Sequence, residues 1–172
     1  TGACADSCRD CCSRRARSEP GSRHWRARAA ILAQEGVSCG ELGRMVEAEK
    51  LFDQAIAIYR RHRDLFGEAR ALCLLAANVH RLRGEFRRGR DAVQQALVKF
   101  QELGDRRQVC YAFCILADLT LAAGERRAAL DQASEGLRLA EALEYPSVAA
   151  HAHQTLGRIA ILEGDLAKAR MH

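Results

Sequence analysis

Four cysteines stand close together near the start of the sequence, at Cys4, Cys8, Cys11 and Cys12. Thiolates at short spacing can bind zinc, and His24 is a possible further ligand. A usual zinc finger has a second pair of ligands, which the sequence does not offer. Residues 1–22 lack apolar periodicity and are rich in arginine, so we favour a disordered leader that binds no metal.

The first three of these cysteines have the spacing C-x3-C-x2-C, which is similar to the iron–sulfur loop of radical S-adenosylmethionine enzymes. Those enzymes build a partial α/β barrel around the cluster, and this sequence shows no alternation of strands and helices. A motif is only a hypothesis until its surroundings agree with it. We therefore expect no iron–sulfur cluster and no other cofactor.

Other cysteines and histidines lie within helical patterns. Cys110 and Cys114 are one helical turn apart, but a reactive thiol needs an electropositive and partly exposed setting. Together with Cys73 they suit crowded contacts between helices, where cysteine behaves as a small hydrophobic residue. His151 and His153 are two positions apart and so face different sides of a helix. No catalytic pair emerges, and we expect a protein that is not an enzyme.

The composition favours helices throughout. The 172 residues are 48% hydrophobic, which is enough for one domain or a short repeat array with a core. Only 5% are aromatic and 2 are prolines, which nearly excludes an all-β fold. No apolar run approaches the ~20 residues that a membrane helix requires. Cysteines inside helical patterns indicate a reducing compartment, so we expect a cytoplasmic protein.

The formal net charge is +5, and nearly all of the basic residues are arginines. The arginines form short clusters that mostly flank turns. A nucleic-acid surface would need them on one continuous face with stacking aromatic residues between them, and only Phe86 interrupts the largest cluster. We expect that this segment does not bind nucleic acid directly.

Glycine turns recur along the sequence at a nearly constant interval, with Gly84, Gly124 and Gly164 each 40 residues apart. A diverged copy is anchored on Gly43, which precedes Gly84 by 41 residues. We assign the extra residue to the connection at residues 61–67, because loops tolerate insertions. Five residues after each glycine stands a small residue, as close helix packing requires: Ala48, Gly89, Ala129 and Ala169.

Each unit is predicted to be a helix, a tight glycine turn and a second helix, so the fold is predicted to be all-α. The units span about 23–67, 68–107, 108–147 and 148–172, and the last is cut short. We therefore expect a fragment of a larger protein. Ile159, Leu162 and Leu166 should then be partly uncovered, and the exposed terminal repeat would allow a homo-oligomer.

With this interval, these turns and these small residues, residues 25–172 resemble the tetratricopeptide repeat family in its variant of about 40 residues. The match is most specific at Leu156-Gly157 with Gly164-Asp165-Leu166 and Ala169. It departs where the first helix usually has a large aromatic residue, since Cys73, Phe113 and His153 stand there. The resemblance implies a right-handed α-solenoid that binds proteins or peptides.

Regions of this kind are common in large bacterial transcription activators of the LuxR type and in antibiotic regulatory proteins. The resemblance therefore implies a non-catalytic scaffold within a larger bacterial regulator of transcription or signalling. Two alternatives stay open: a regulatory module of a multidomain enzyme such as a cyclase or ATPase, and a eukaryotic adaptor. Arginine-rich, alanine-rich composition suggests a GC-rich genome and favours the bacterial reading.

Polar residues recur six positions before the turn glycines, at Asn78, Asp118 and Arg158. The first helix of each unit lines the concave surface of such an array, so residues at equal phase line up across units. The same inward side is predicted to hold Arg81, Tyr111, His151 and Gln154. Tyrosine offers contact area and guanidinium groups hold carboxylates, so this concave face is predicted to bind a peptide.

The alternative is ordinary polarity on a face open to solvent. Family members that hold a C-terminal carboxylate use a clamp of lysine and asparagine. Leu74 and Cys114 stand one turn before Asn78 and Asp118 in this sequence, so that clamp is expected to be absent.

Overall fold

The computed structural model describes residues 24–172, and every regular element in that range is helical. The elements are α1 (His24–Glu41), α2 (Met45–Arg61), α3 (Leu65–Leu75) with a π-helical continuation (Ala76–His80), α4 (Phe86–Glu102), α5 (Arg106–Ala122), α6 (Arg126–Ala142), α7 (Pro146–Glu163) and α8 (Leu166–Met171). Each helix packs against the next one in the chain. The predicted all-α fold of helix pairs stacked in order is confirmed. The predicted leader at 1–22, with its cysteine cluster, lies outside the described residues.

Left-handed residues end the helices at regular places. The four predicted turn glycines, Gly43, Gly84, Gly124 and Gly164, all have positive φ, between 73 and 86°. Glycine adopts this conformation without steric cost, which is why it ends the first helix of each pair. In the loops between pairs, Arg63, Gly104 and Glu144 are also left-handed. The predicted position of each glycine turn is confirmed.

The extra residue of the first interval lies inside helix α3, so its assignment to the connection at 61–67 was wrong. Gly43 and Arg63 are 20 positions apart, as in the later units, whereas Arg63 and Gly84 are 21 apart and the corresponding later intervals are 20. Helix α3 takes up the surplus in the segment Ala76–His80. A π turn holds one residue more than an α turn, so both ends of the helix keep their positions.

Small residues bring neighbouring helices close together. A Cβ atom on Gly89 would lie 2.9 Å from the side chain of Leu119, and one on Gly136 would lie 3.1 Å from Sγ of Cys114. The largest fully buried side chains are those of Phe52 and Phe100. Close contact of helices and burial of these rings both stabilise the fold.

Helix α7 has one buried and one exposed side near its end. Ile159 is only 1% exposed because it packs with Leu121 and Ala129 of the preceding pair, so the expectation that it is uncovered was wrong. Leu162 and Leu166 are exposed, at 51% and 63%. Within residues 24–172, no helix combines the length and apolar character that crossing a membrane requires.

Candidate functional site

The first helices of successive pairs contact one another. Helix α1 contacts α3, the π-helical end of α3 contacts α5, and α5 contacts α7. We call the surface formed by these four helices the inner layer. All seven predicted site residues lie on it or directly after its π-helical segment: Asn78, Arg81, Tyr111, Asp118, His151, Gln154 and Arg158.

Asp118 is the centre of a polar cluster between α5 and α7. Its Oδ2 lies 2.9 Å from Nε2 of His151. Its Oδ1 accepts hydrogen bonds from Oγ1 of Thr155 at 2.8 Å and from Nη1 of Arg158 at 3.0 Å. The ring of Tyr111 lies next to the cluster, with its centroid 6.5 Å from that of His151. The structure thus brings four of the seven predicted residues together and adds Thr155.

The carboxyl group of Asp118 is largely shielded from solvent, with 14% of its side chain exposed. Burial alone would raise the pKa of Asp118. The hydrogen bonds from His151 and Thr155 and the positive charge of Arg158 outweigh burial, so the pKa is lowered. Asp118 is therefore a carboxylate at neutral pH, and its charge is already balanced by Arg158.

We expect Asp118→Asn to lower the free energy of unfolding at pH 7 by about 1.5–3 kcal/mol, the range for a hydrogen bond to a charged group. A carboxylate whose pKa is lowered on folding stabilises the protein above its unfolded pKa, about 3.9. That contribution is lost as the pH falls through the folded pKa. Urea unfolding of both proteins from pH 7 to pH 3 should therefore show the difference shrinking below pH ~4.

The control is Asp131→Asn, at an exposed aspartate of α6. It should change the free energy of unfolding by less than about 0.5 kcal/mol at every pH. A difference for Asp118→Asn that stays constant down to pH 3 would contradict the assigned ion pair.

The other predicted residues do not join this cluster. Nδ2 of Asn78 donates to the carbonyl of Leu74 at 2.9 Å, and Nε of Arg81 donates to the carbonyl of Ala77 at 3.2 Å. Both side chains are thus bonded to the preceding turn of their own helix. Gln154 is exposed. Asn78 and Asp118 stand at the same distance before their turn glycines, but their side chains have different partners and do not form a shared site.

A groove lies between α1 and α3, and it is not among the sites predicted from the sequence. It encloses about 580 Å³. Its lining combines small, aromatic and charged side chains: Arg26, Ala27, Ala30, Tyr59, Asp64, Phe66, Gly67 and Arg70. A smaller pocket of about 140 Å³ continues it along the two helices towards Gln34 and Leu74. Concave surfaces of mixed apolar and polar character are the usual places for ligands to bind.

Arg70 was not among the residues predicted for the concave face, because its position is regular with respect to the loops and not to the turn glycines. Seven residues after the left-handed loop residues Arg63, Gly104 and Glu144 stand Arg70, Tyr111 and His151. A constant interval of 40 residues instead pairs Tyr111 with position 71. The π-helical insertion lies between Arg70 and Gly84, so an interval measured from the turn glycines is shifted by one residue there. Counting from the loops would have found Arg70 as a member of the same row.

The buried cysteines are suited to packing. Burial raises the pKa of the Cys73 and Cys114 thiols to about 12 and that of Cys110 to about 11. Thiols with such values stay protonated at neutral pH and are poor nucleophiles and metal ligands. The two histidines of α7 face different neighbours, since His151 meets Asp118 and Nδ1 of His153 lies 3.0 Å from Nδ1 of His172.

A second polar cluster connects α2 with the turn before α4. Glu49 and Glu85 both form ion pairs with Arg83 and Arg88, and Nδ1 of the buried His80 lies 3.0 Å from Oε2 of Glu85. Glu49, His80 and Glu85 are close enough together to hold a metal ion. Two guanidinium groups already balance the two carboxylates, so we assign this cluster a structural role.

No family model matches the chain, and no curated protein matches it. Among solved structures, the chain is similar to BtubC (BKLC) from P. vanneervenii, with a TM-score of 0.70 and 20% sequence identity. The match covers 83% of this chain and 59% of that protein, so this chain spans about three-fifths of its length. At this identity the likeness supports the helical fold alone.

Proposed function

We propose that this chain is a non-catalytic scaffold of the tetratricopeptide type that binds a protein or peptide on its inner layer. The observation that carries the proposal is the groove between α1 and α3, which is open to solvent and lined by Phe66, Tyr59 and arginines. Helix grooves with apolar anchors and a few charged groups are a recurring mode of peptide recognition. The repeat pattern supports the family assignment.

Residues 24–172 offer little to an enzymatic reaction. The buried thiols have raised pKa values, and the carboxylate of Asp118 is paired with Arg158. Catalytic groups usually combine exposure in a cleft with a pKa near the working pH. Binding is therefore the better use of this surface. As the resemblance implies, we place the scaffold within a larger bacterial regulator of transcription or signalling.

Peptide selection from a random phage-displayed library tests this function. We expect the unaltered protein to enrich peptides from the library. The variant Ala30→Trp should not bind these peptides, because Ala30 is exposed in the wall of the groove and an indole at this position fills the groove. The fraction of selected clones that still bind the variant is the measurement. Ala142→Trp, at an exposed position on α6, is the matched control and should keep binding.

Circular dichroism should show the same helix content and melting temperature for both tryptophan variants. Absence of enriched peptides, or equal binding by Ala30→Trp and the unaltered protein, would refute the proposed function.

A further inference from the structure

Arg70 is an exposed cation at the edge of the groove between α1 and α3. It follows Phe66 by four residues on α3, so both side chains lie on the same face of the helix. Phe66 is 39% exposed, although phenylalanine is among the residues that are most often buried. A positive charge and an apolar ring thus stand next to each other on an open surface.

Charge within the groove is balanced except at Arg70. Nε of Arg26 donates to Oδ2 of Asp64 at 2.8 Å, and Oδ1 of Asp64 accepts from the backbone N–H of Gly67 at 2.9 Å. Among residues 24–172, Arg70 forms no ion pair with an acidic side chain. The groove therefore has one guanidinium group that is available to a ligand.

The surroundings of Arg70 connect the groove with the rest of the inner layer. Burial raises the pKa of the phenols of Tyr59 and Tyr111, and the positive charge of Arg70 acts on both in the opposite direction. Arg70 and Tyr59 of α2 line the same groove. Tyr111 and His151 occupy the position of Arg70 in the later units, since each of the three stands seven residues after a left-handed loop residue.

We propose that the groove binds an internal acidic segment of a partner protein, with an aspartate or glutamate on Arg70 and a neighbouring aromatic or aliphatic side chain on Phe66 and Ala30. This inference rests on the proposed function and specifies its ligand. A guanidinium group binds a carboxylate through two parallel hydrogen bonds, which adds geometric specificity to the attraction between the charges. An apolar anchor beside a charged pair is the usual composition of a binding hot spot.

A nucleic acid is the competing ligand, because arginine and aromatic side chains also bind phosphates and bases. Nucleic-acid surfaces carry several cations along a track. In this groove one of the two arginines is already neutralised by Asp64. The observations therefore favour an acidic peptide.

The same phage library provides the first test, in which the amino-acid composition of the selected peptides is measured. Peptides selected on the unaltered protein should be enriched in aspartate and glutamate next to an aromatic or aliphatic residue. The most enriched peptide is then synthesised with fluorescein, with both ends capped so that no terminal carboxylate is present. Its analogue with glutamine and asparagine in place of the acids should bind at least about tenfold more weakly in fluorescence anisotropy.

Arg70→Glu should weaken binding of the acidic peptide by at least about tenfold, since a hot-spot residue is replaced by one of opposite charge. Arg127→Glu, at an exposed arginine of α6, makes the same change of charge outside the groove and should leave binding within about twofold. Phe66→Ala should weaken the acidic peptide as well. Because Arg70 is exposed, its variant is expected to keep the melting temperature of the unaltered protein.

Each outcome decides between the two proposals. If peptides are selected and Ala30→Trp abolishes binding, but acidic and neutral peptides bind equally, the inference fails and the proposed function stands. If no peptide is selected at all, both fail. Displacement of the acidic peptide by a single-stranded oligothymidylate, together with direct binding of that oligonucleotide in an Arg70-dependent way, would overturn the inference in favour of nucleic acid.

Discussion

Phe100→Ala is expected to lower the free energy of unfolding by about 3–5 kcal/mol, the range for removing a buried phenylalanine ring. Phe100 is completely buried on α4, and its ring meets that of Phe66 edge-on with centroids 6.1 Å apart. The substitution removes apolar area from the core and leaves a cavity below the groove. Urea unfolding followed by circular dichroism measures the change.

Val98→Ala is the matched control on the same helix, because Val98 is 52% exposed. It should change the free energy of unfolding by about 0.5 kcal/mol or less. Equal effects of the two substitutions would contradict the assigned orientation of α4. Phe100→Ala should also weaken the peptide selected on the groove, since Phe66 loses the ring on which it rests.

Gly67→Ala is expected to destabilise the protein by about 3 kcal/mol, at the upper end of the usual cost of overpacking. A Cβ atom on Gly67 would lie 2.3 Å from two carbons of the Tyr59 ring and 2.8 Å from its Cγ. Tyr59 is buried and cannot move its whole ring aside. The midpoint of thermal unfolding should fall accordingly. The groove should be lost as well, because Tyr59 and Gly67 form part of its lining.

Gly157→Ala provides the comparison, because its Cβ atom would lie 3.6 Å from the nearest atom, an ordinary contact. In the middle of α7 this substitution should raise stability by up to about 1 kcal/mol, as alanine favours helices over glycine. A double-mutant cycle with Tyr59→Ala isolates the clash. If Gly67→Ala costs the same with and without the Tyr59 ring, the assigned contact is wrong.

The sequence was sufficient for the architecture because the turns depend on local chemistry. Gly43 and Gly84 each end a helix in a conformation that other residues adopt at a cost, so the glycines mark the bends directly. Residues at equal phase also meet on the inner layer. Asp118 and Arg158 are 40 positions apart and form an ion pair across α5 and α7, since residues at equal phase on neighbouring first helices meet.

Other parts of the site could not be found in this way. Thr155 is outside the row of polar residues six positions before the turn glycines, and the packing of α7 against α5 brings its hydroxyl to Asp118. The groove uses Phe66, and the equivalent positions of the later units, three residues after Gly104 and Glu144, hold Arg107 and Ser147. The repeat interval therefore does not mark Phe66, because its chemistry does not recur in the later units.

The π-helical segment of α3 has a consequence for how polar side chains stay aligned along the whole array. Helices α3, α5 and α7 each follow a left-handed loop residue and precede a turn glycine. The two halves of α3 are therefore in register with different points of the chain. Arg70 has the same distance from the loop residue before it as Tyr111, whereas Asn78 has the same distance from the turn glycine after it as Asp118. A change in repeat length can thus arise within a helix without putting the neighbouring units out of step.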